Sequence, residues 1–120
     1  MSSQENGQVP VKSKYHSRKV EVDGIKFDSS KEAKRYKELI LLQKTGTVLE
    51  IELQPSFVLQ EGYKRFGKSI RPITYRADFK VKWKDGRVQI IDTKGFKTKD
   101  YLIKKKILLF KYPELDFVEE

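Results

Sequence analysis

Along residues 74–83 apolar and polar side chains alternate: Tyr75, Ala77, Phe79, Val81 and Trp83 on one side of an extended chain, Arg76, Asp78, Lys80 and Lys82 on the other. Val88, Ile90 and Ile91 follow beyond Asp85-Gly86, so the stretch predicts a β-hairpin, and the same pattern around Asp23-Gly24 predicts a second one over residues 20–27. Residues 29–46 change to helical spacing. Ala33, Tyr36, Leu39, Ile40 and Gln43 recur on one side, Ser29 is a good N-cap with Glu32 at the capping-box position, and Gly46 can close the helix in the left-handed conformation. Residues 47–60 read as a strand interrupted at Pro55, and residues 62–72 as a basic loop with Tyr63 and Phe66 among Lys64, Arg65, Lys68 and Arg71. After Gly95 a second helix starts at Thr98 or Asp100 and stops at Pro113. Its predicted buried side carries Leu102, Ile103, Ile107, Leu109 and Phe110, with Lys104 and Lys105 outward; residues 115–118 then close the chain as a short strand.

The central hairpin carries chemistry that a core does not need. Asp92 and Lys94 are two apart near the end of its second strand and share a face, while Asp78 lies on its first. Two carboxylates can hold Mg²⁺ or Mn²⁺, whose remaining positions go to water and substrate phosphate, and a lysine beside them can stabilise charge developing on that phosphate. A surface salt bridge, worth ~0 to 1 kcal/mol, is the ordinary alternative for such a motif taken alone. Glu32 is open in the same way, as a helix cap or as a third carboxylate. Gln54, beside the Pro55 break, is a neutral oxygen donor that either supports the site or caps an edge.

Register decides whether the acids can act together. A two-residue Asp85-Gly86 turn sets Trp83 opposite Val88 and turns Asp78 away from Asp92. Either a three-residue turn with Gly86 left-handed, pairing Trp83 with Arg87, or a bulge between turn and acids restores a common face. The apolar match of Trp83 with Val88 favours the bulge.

Composition narrows the partners. With 26 Lys+Arg against 17 Asp+Glu the chain carries a net charge of +9, which favours a polyanion, and DNA first. No long apolar run marks a membrane segment. The chain has no cysteine and one histidine, which removes disulfides, thiol nucleophiles and Cys- or two-His zinc sites, and leaves oxygen atoms to hold any metal. The polar opening predicts a flexible basic arm over residues 1–14, and residues 15–120 are long enough for one domain with one core. Lys97, Lys104 and Lys105 extend the basic surface toward the acids.

The order helix with Glu32, strand, strand with Asp78, strand with Asp92-x-Lys94, basic helix, strand resembles the PD-(D/E)XK nuclease superfamily from residue 20 onward. KVEVDGIKFDSSKEAKRYKEL, ELQPSF, YRADF and DTKG are similar to a small family encoded by phages and prophages and catalogued without an assigned function. The resemblance implies an α+β fold with a restriction-endonuclease-like core: a four-stranded mixed sheet flanked by helices, with an N-terminal hairpin. It further implies a divalent-metal site that cuts DNA phosphodiesters in the cytoplasm of a phage-bearing bacterium. Asp78, Asp92 and Lys94 match the acids and the lysine, Glu32 the acid of the first helix, and Ala77 stands where the signature has proline. One such site cuts one strand, so a double-strand break calls for a homodimer or two binding events. Two other functions compete with the nuclease: a non-catalytic nucleic-acid-binding protein, and a structural protein of a phage particle.

Overall fold

The computed structural model describes residues 19–94 and 97–120. The arm expected over residues 1–14 and the strand break expected at Gly95 lie outside the described residues. The chain divides after Glu38 into two compact units, with one helix running from the first into the second.

In the first unit, β1 (Val20–Val22) and β2 (Ile25–Phe27) form the hairpin expected around Asp23-Gly24. Val22 pairs with Ile25 across a two-residue turn whose central residues both have positive φ, 52° and 79°. Helix α1 (Ser30–Lys44) starts where the sequence indicates: Ser29 Oγ accepts the Glu32 N–H at 3.0 Å. Phe27 packs against Tyr36 with ring centres 4.9 Å apart and the ring planes tilted by 38°, and Ala33 is buried one turn before Tyr36. The helix ends as a Schellman motif, with Gly46 at φ 84° and Thr47 N–H bonded to Leu42 O at 2.9 Å. Leu39 is fully buried, whereas Gln43, expected on the same face, is exposed and reaches Leu49 O.

The second unit holds a four-stranded mixed sheet in the order β10-β9-β8-β3, from β3 (Val48–Leu53), β8 (Phe79–Trp83), β9 (Val88–Asp92) and β10 (Asp116–Glu119). β10 runs parallel to β9 and the other pairs are antiparallel. Two further strands, β4 (Ser56–Gln60) and β7 (Ile73–Arg76), pair separately. The basic loop is in fact a hairpin of β5 (Tyr63–Arg65) and β6 (Lys68–Ile70). Helix α2 (Lys99–Lys111) is N-capped by Thr98, whose side chain accepts the Tyr101 N–H.

The sheet's fully buried apolar side chains are Val48, Phe79, Val81, Ile90 and Ile91. Ile90 belongs to a core with Leu59, Tyr75, Ala77, Tyr101 and Leu108, which Phe57, Tyr112, Leu115 and Phe117 border. The face of α2 therefore differs from the one its aliphatic residues predict. Tyr101 and Leu108, seven apart, are buried, and the stems of Lys104 and Lys105 are half-buried between them. Leu102, Ile103, Ile107 and Phe110 are exposed. Amphipathic side chains with long apolar bodies win this face because Lys105 lies over the Phe117 ring, 5.6 Å from its centre.

Candidate active site

The β8-β9 turn sets the register, and it takes the three-residue form. Trp83 N–H bonds Arg87 O at 2.8 Å, Gly86 N–H bonds Trp83 O at 3.0 Å, and Gly86 has φ 98°. The favoured bulge between turn and acids is thus corrected: Lys82 pairs with Val88 and Phe79 with Ile91 in one unbroken ladder. Trp83 does not oppose Val88. It faces Arg87, whose guanidinium stands 5.2 Å from the ring, and its Nε1–H donates to Gln89 at 2.8 Å. Asp85 accepts the Arg87 N–H and ion-pairs with its guanidinium, which locks the longer turn and holds the Asp85 carboxyl below its usual range.

Beyond Phe79 the chain bends, and the bend aims Asp78. Strands β3 and β4 break at Gln54-Pro55, where Pro55 has no N–H for a ladder and Gln54 takes φ 51°. The facing strands break at Ala77-Asp78. Two bonds tie the breaks together, Gln54 N–H to Asp78 O at 2.9 Å and Ala77 N–H to Pro55 O at 3.0 Å. Gln54 thus touches the site through its backbone, and its side chain is exposed. Asp78 Oδ2 accepts both the N–H and the hydroxyl of Thr93, at 2.7 and 2.8 Å.

Asp92 is fully buried on the face of Ile90. Its Oδ1 accepts Lys94 Nζ at 2.7 Å, and its Oδ2 accepts the Tyr75 hydroxyl. Burial pushes the Asp92 carboxyl up to about 6, against the pull of those two bonds and with the help of the Asp78 charge. Lys94 Nζ also lies 3.8 Å from Asp78 Oδ1 and 5.6 Å from the Tyr101 ring centre. One cation therefore stands between the two carboxylates.

A third carboxylate, Glu119, adjoins Asp92 through a pair of phenols. The Tyr75 and Tyr101 rings lie 6.0 Å apart; Tyr75 donates to Asp92 and Tyr101 to Glu119. Burial raises the titration of both phenols, and the bond to the neighbouring carboxylate raises it further. Glu119, opposite Asp92 in the parallel register, also takes Lys105 at 3.0 Å and Lys97 at 3.3 Å. The Tyr101 bond and then the Lys105 bond hold it down at about 2. Tyr75, Thr93, Tyr101 and Glu119 escape the sequence reading because tyrosines in an alternating strand and an apolar helix read as core. The signal available was Asp92 itself, since an acid beside Ile90 and Ile91 in a central strand demands donors.

Asp78, Asp92 and Lys94 come together. Glu32 is on the first turn of α1 in the first unit, buried, with its Oε1 accepting the Asp28 N–H at 3.3 Å. Lys64, Arg65, Lys68 and Arg71 are exposed on and after the β5-β6 hairpin, whereas Lys97 and Lys105 turn to Glu119, and Lys104 lies 3.7 Å from Asp100. Among the described residues no three His, Cys, Asp or Glu side chains converge on one point. Two carboxylates do, a donor set suited to an ion that completes its shell with water and phosphate.

Removing the Tyr75 hydroxyl tests how far Asp92 depends on it. Tyr75→Phe leaves a buried acceptor short of one donor and should cost about 1–3 kcal/mol while the carboxyl is charged. Asp92 titrates near 6, so the loss should be largest at pH 8 and shrink below pH 6, where the carboxyl takes up a proton. Urea unfolding at both pH values measures it.

The family model described as "Protein of unknown function (DUF1064)" matches residues 12–118, and the chain belongs to that family. No curated protein and no solved structure matches the chain. Among the described residues, no helix is long and apolar enough to cross a membrane.

Proposed function

We propose that this member of the family is a divalent-metal-dependent DNA endonuclease of the PD-(D/E)XK kind, hydrolysing phosphodiester bonds of phage or branched DNA in replication, recombination or processing. The observation that carries the reading is Asp92: a fully buried acid, its titration raised to about 6, sharing one lysine with a second acid. A fold gains little from such a group, because burying charge costs several kcal/mol per ion, of order, before pairing returns any of it. Perturbed carboxylates of this sort cluster where chemistry is done.

Asp78 and Asp92, whose carboxylates both face Lys94, are the residues that would hold Mg²⁺ or Mn²⁺. Bound there, the ion supplies Lewis-acid polarisation of the scissile phosphate. The protein's own part is placement. Thr93 fixes the Asp78 carboxylate, Tyr75 fixes that of Asp92, and Lys94, held between the two carboxylates, supplies the positive charge that would stabilise charge developing on phosphorus-bound oxygen. Glu32 enters the proposal on the resemblance alone.

Supercoiled, single-stranded and branched DNA incubated with Mg²⁺, Mn²⁺ or EDTA tests the reading. Nicking in either metal and none in EDTA is the expected result. DNA binding without cutting in every metal would leave the non-catalytic binding protein in its place, a reading that the exposed basic hairpin also suits.

Binding itself should report the hairpin. Lys64→Ala combined with Arg65→Ala should lower the slope of log affinity against log salt by roughly 1.4 on single strands and 1.8 on duplex, two phosphate contacts' worth. An unchanged slope would move the phosphate contacts elsewhere.

A further inference from the structure

The β5-β6 hairpin has three features that folding alone does not explain. Its tip is Phe66-Gly67, both with positive φ, 49° and 78°, and it joins Arg65 directly to Lys68 in the ladder. This is the same two-residue turn that Asp23-Gly24 makes with φ 52° and 79°. That position favours Asn, Asp or Gly, and a bulky residue there is a conformational outlier. Phe66 nevertheless occupies it with 91% of its surface exposed, so no core packing offsets the strain. Finally, Arg65 and Lys68 are directly opposed like charges, a pairing that weakens a two-stranded ribbon.

A strained, exposed aromatic ring flanked by self-repelling cations suits one kind of ligand. An unpaired nucleobase offers an apolar π-face for the ring, and the phosphates on either side relieve the repulsion. Every residue of both strands is exposed, and the Arg65 guanidinium already lies 4.9 Å from the centre of the Phe66 ring. At the base of the hairpin a Cβ on Gly62 would stand 3.0 Å from Ile70 O, so the strands close tightly where they leave the domain.

We infer that this hairpin is a stacking arm: Phe66 takes the face of an unpaired base while Lys64, Arg65, Lys68 and Arg71 take the flanking phosphates. Resting on the nuclease reading, the inference makes DNA with unpaired bases the preferred substrate class.

The test is fluorescence anisotropy in EDTA with a labelled oligo-dT strand and a blunt duplex of equal length, using the full chain. The wild type should prefer the single strand. Phe66→Ala should weaken single-strand binding about tenfold or more and duplex binding much less. Phe66→Trp should keep the affinity, and its added emission should be quenched by oligo-dT relative to the Trp83 background. Phe66→Asn separates binding from folding: asparagine suits the left-handed turn, so Tm should hold or rise while single-strand affinity falls as it does for alanine. Single-strand affinity unchanged in Phe66→Ala and Phe66→Asn, or an equal loss on both DNAs, overturns the inference. Cutting that persists in Mg²⁺ with unchanged affinities leaves the nuclease standing without the arm. The expected affinity losses in a protein that never cuts leave the arm standing without the nuclease.

Discussion

Asp92→Ala should reduce metal-dependent DNA cleavage by at least ~10³-fold, and Lys94→Ala by about 10²–10³-fold, the scale of removing one aimed charge from a transition state. Neither change should weaken DNA binding measured in EDTA, because the exposed cations of the β5-β6 hairpin are separate from the acids; loss of the Asp92 charge removes a repulsion from phosphate. Lys94→Arg should rescue little. The ammonium is a point charge 2.7 Å from Asp92 Oδ1 and 3.8 Å from Asp78 Oδ1, and a planar guanidinium does not fit that seat in the same way. Comparable cutting by wild type and Asp92→Ala would show that these residues are not the catalytic machinery.

The same carboxylate should make the metal-free protein less stable than it could be. Its folded titration, about 6, lies above the usual value of 3.8, so the folded state binds the Asp92 proton more tightly than the unfolded state does. The stability this contributes is complete below pH 4 and is lost as pH rises through 6. At 1.36 kcal/mol per unit the loss is about 3 kcal/mol by pH 8. Asp92→Asn removes the charge and keeps the shape, and should raise stability in EDTA by about 1–3 kcal/mol at pH 8 and by little at pH 4. Thermal unfolding at the two pH values measures the difference. A variant destabilised at pH 8 would mean that the bonds from Lys94 and Tyr75 outweigh the burial of the charge.

The order of elements was legible because it rests on local rules. Ser29, Gly46 and Thr98 cap helices as their chemistry requires, and Pro55 breaks a strand where its missing N–H must. Register was less so, and the two Asp-Gly pairs show why. Asp23-Gly24 makes a two-residue turn; Asp85-Gly86 makes a longer one because Asp85 bonds the Arg87 N–H and guanidinium. An apolar match of Trp83 with Val88 lost to a guanidinium on the indole face. On α2 the strongest hydrophobes, Ile103 and Phe110, are 59% and 87% exposed, while Tyr101 is buried through its hydroxyl bond to Glu119. Such a face is set by partners distant in sequence, which a helical period does not contain. The acids themselves stood out because a sheet centre has no structural use for them, whereas the phenols that hold them looked like ordinary core.

Calorimetric titration of Mn²⁺ into the wild type, Asp78→Asn and Asp92→Ala tests most directly whether the paired carboxylates form a metal site. One ion should bind to the wild type, with proton release near pH 6 as Asp92 gives up its proton, and binding should be strongly weakened in both variants. Equal Mn²⁺ binding by all three proteins would contradict the account.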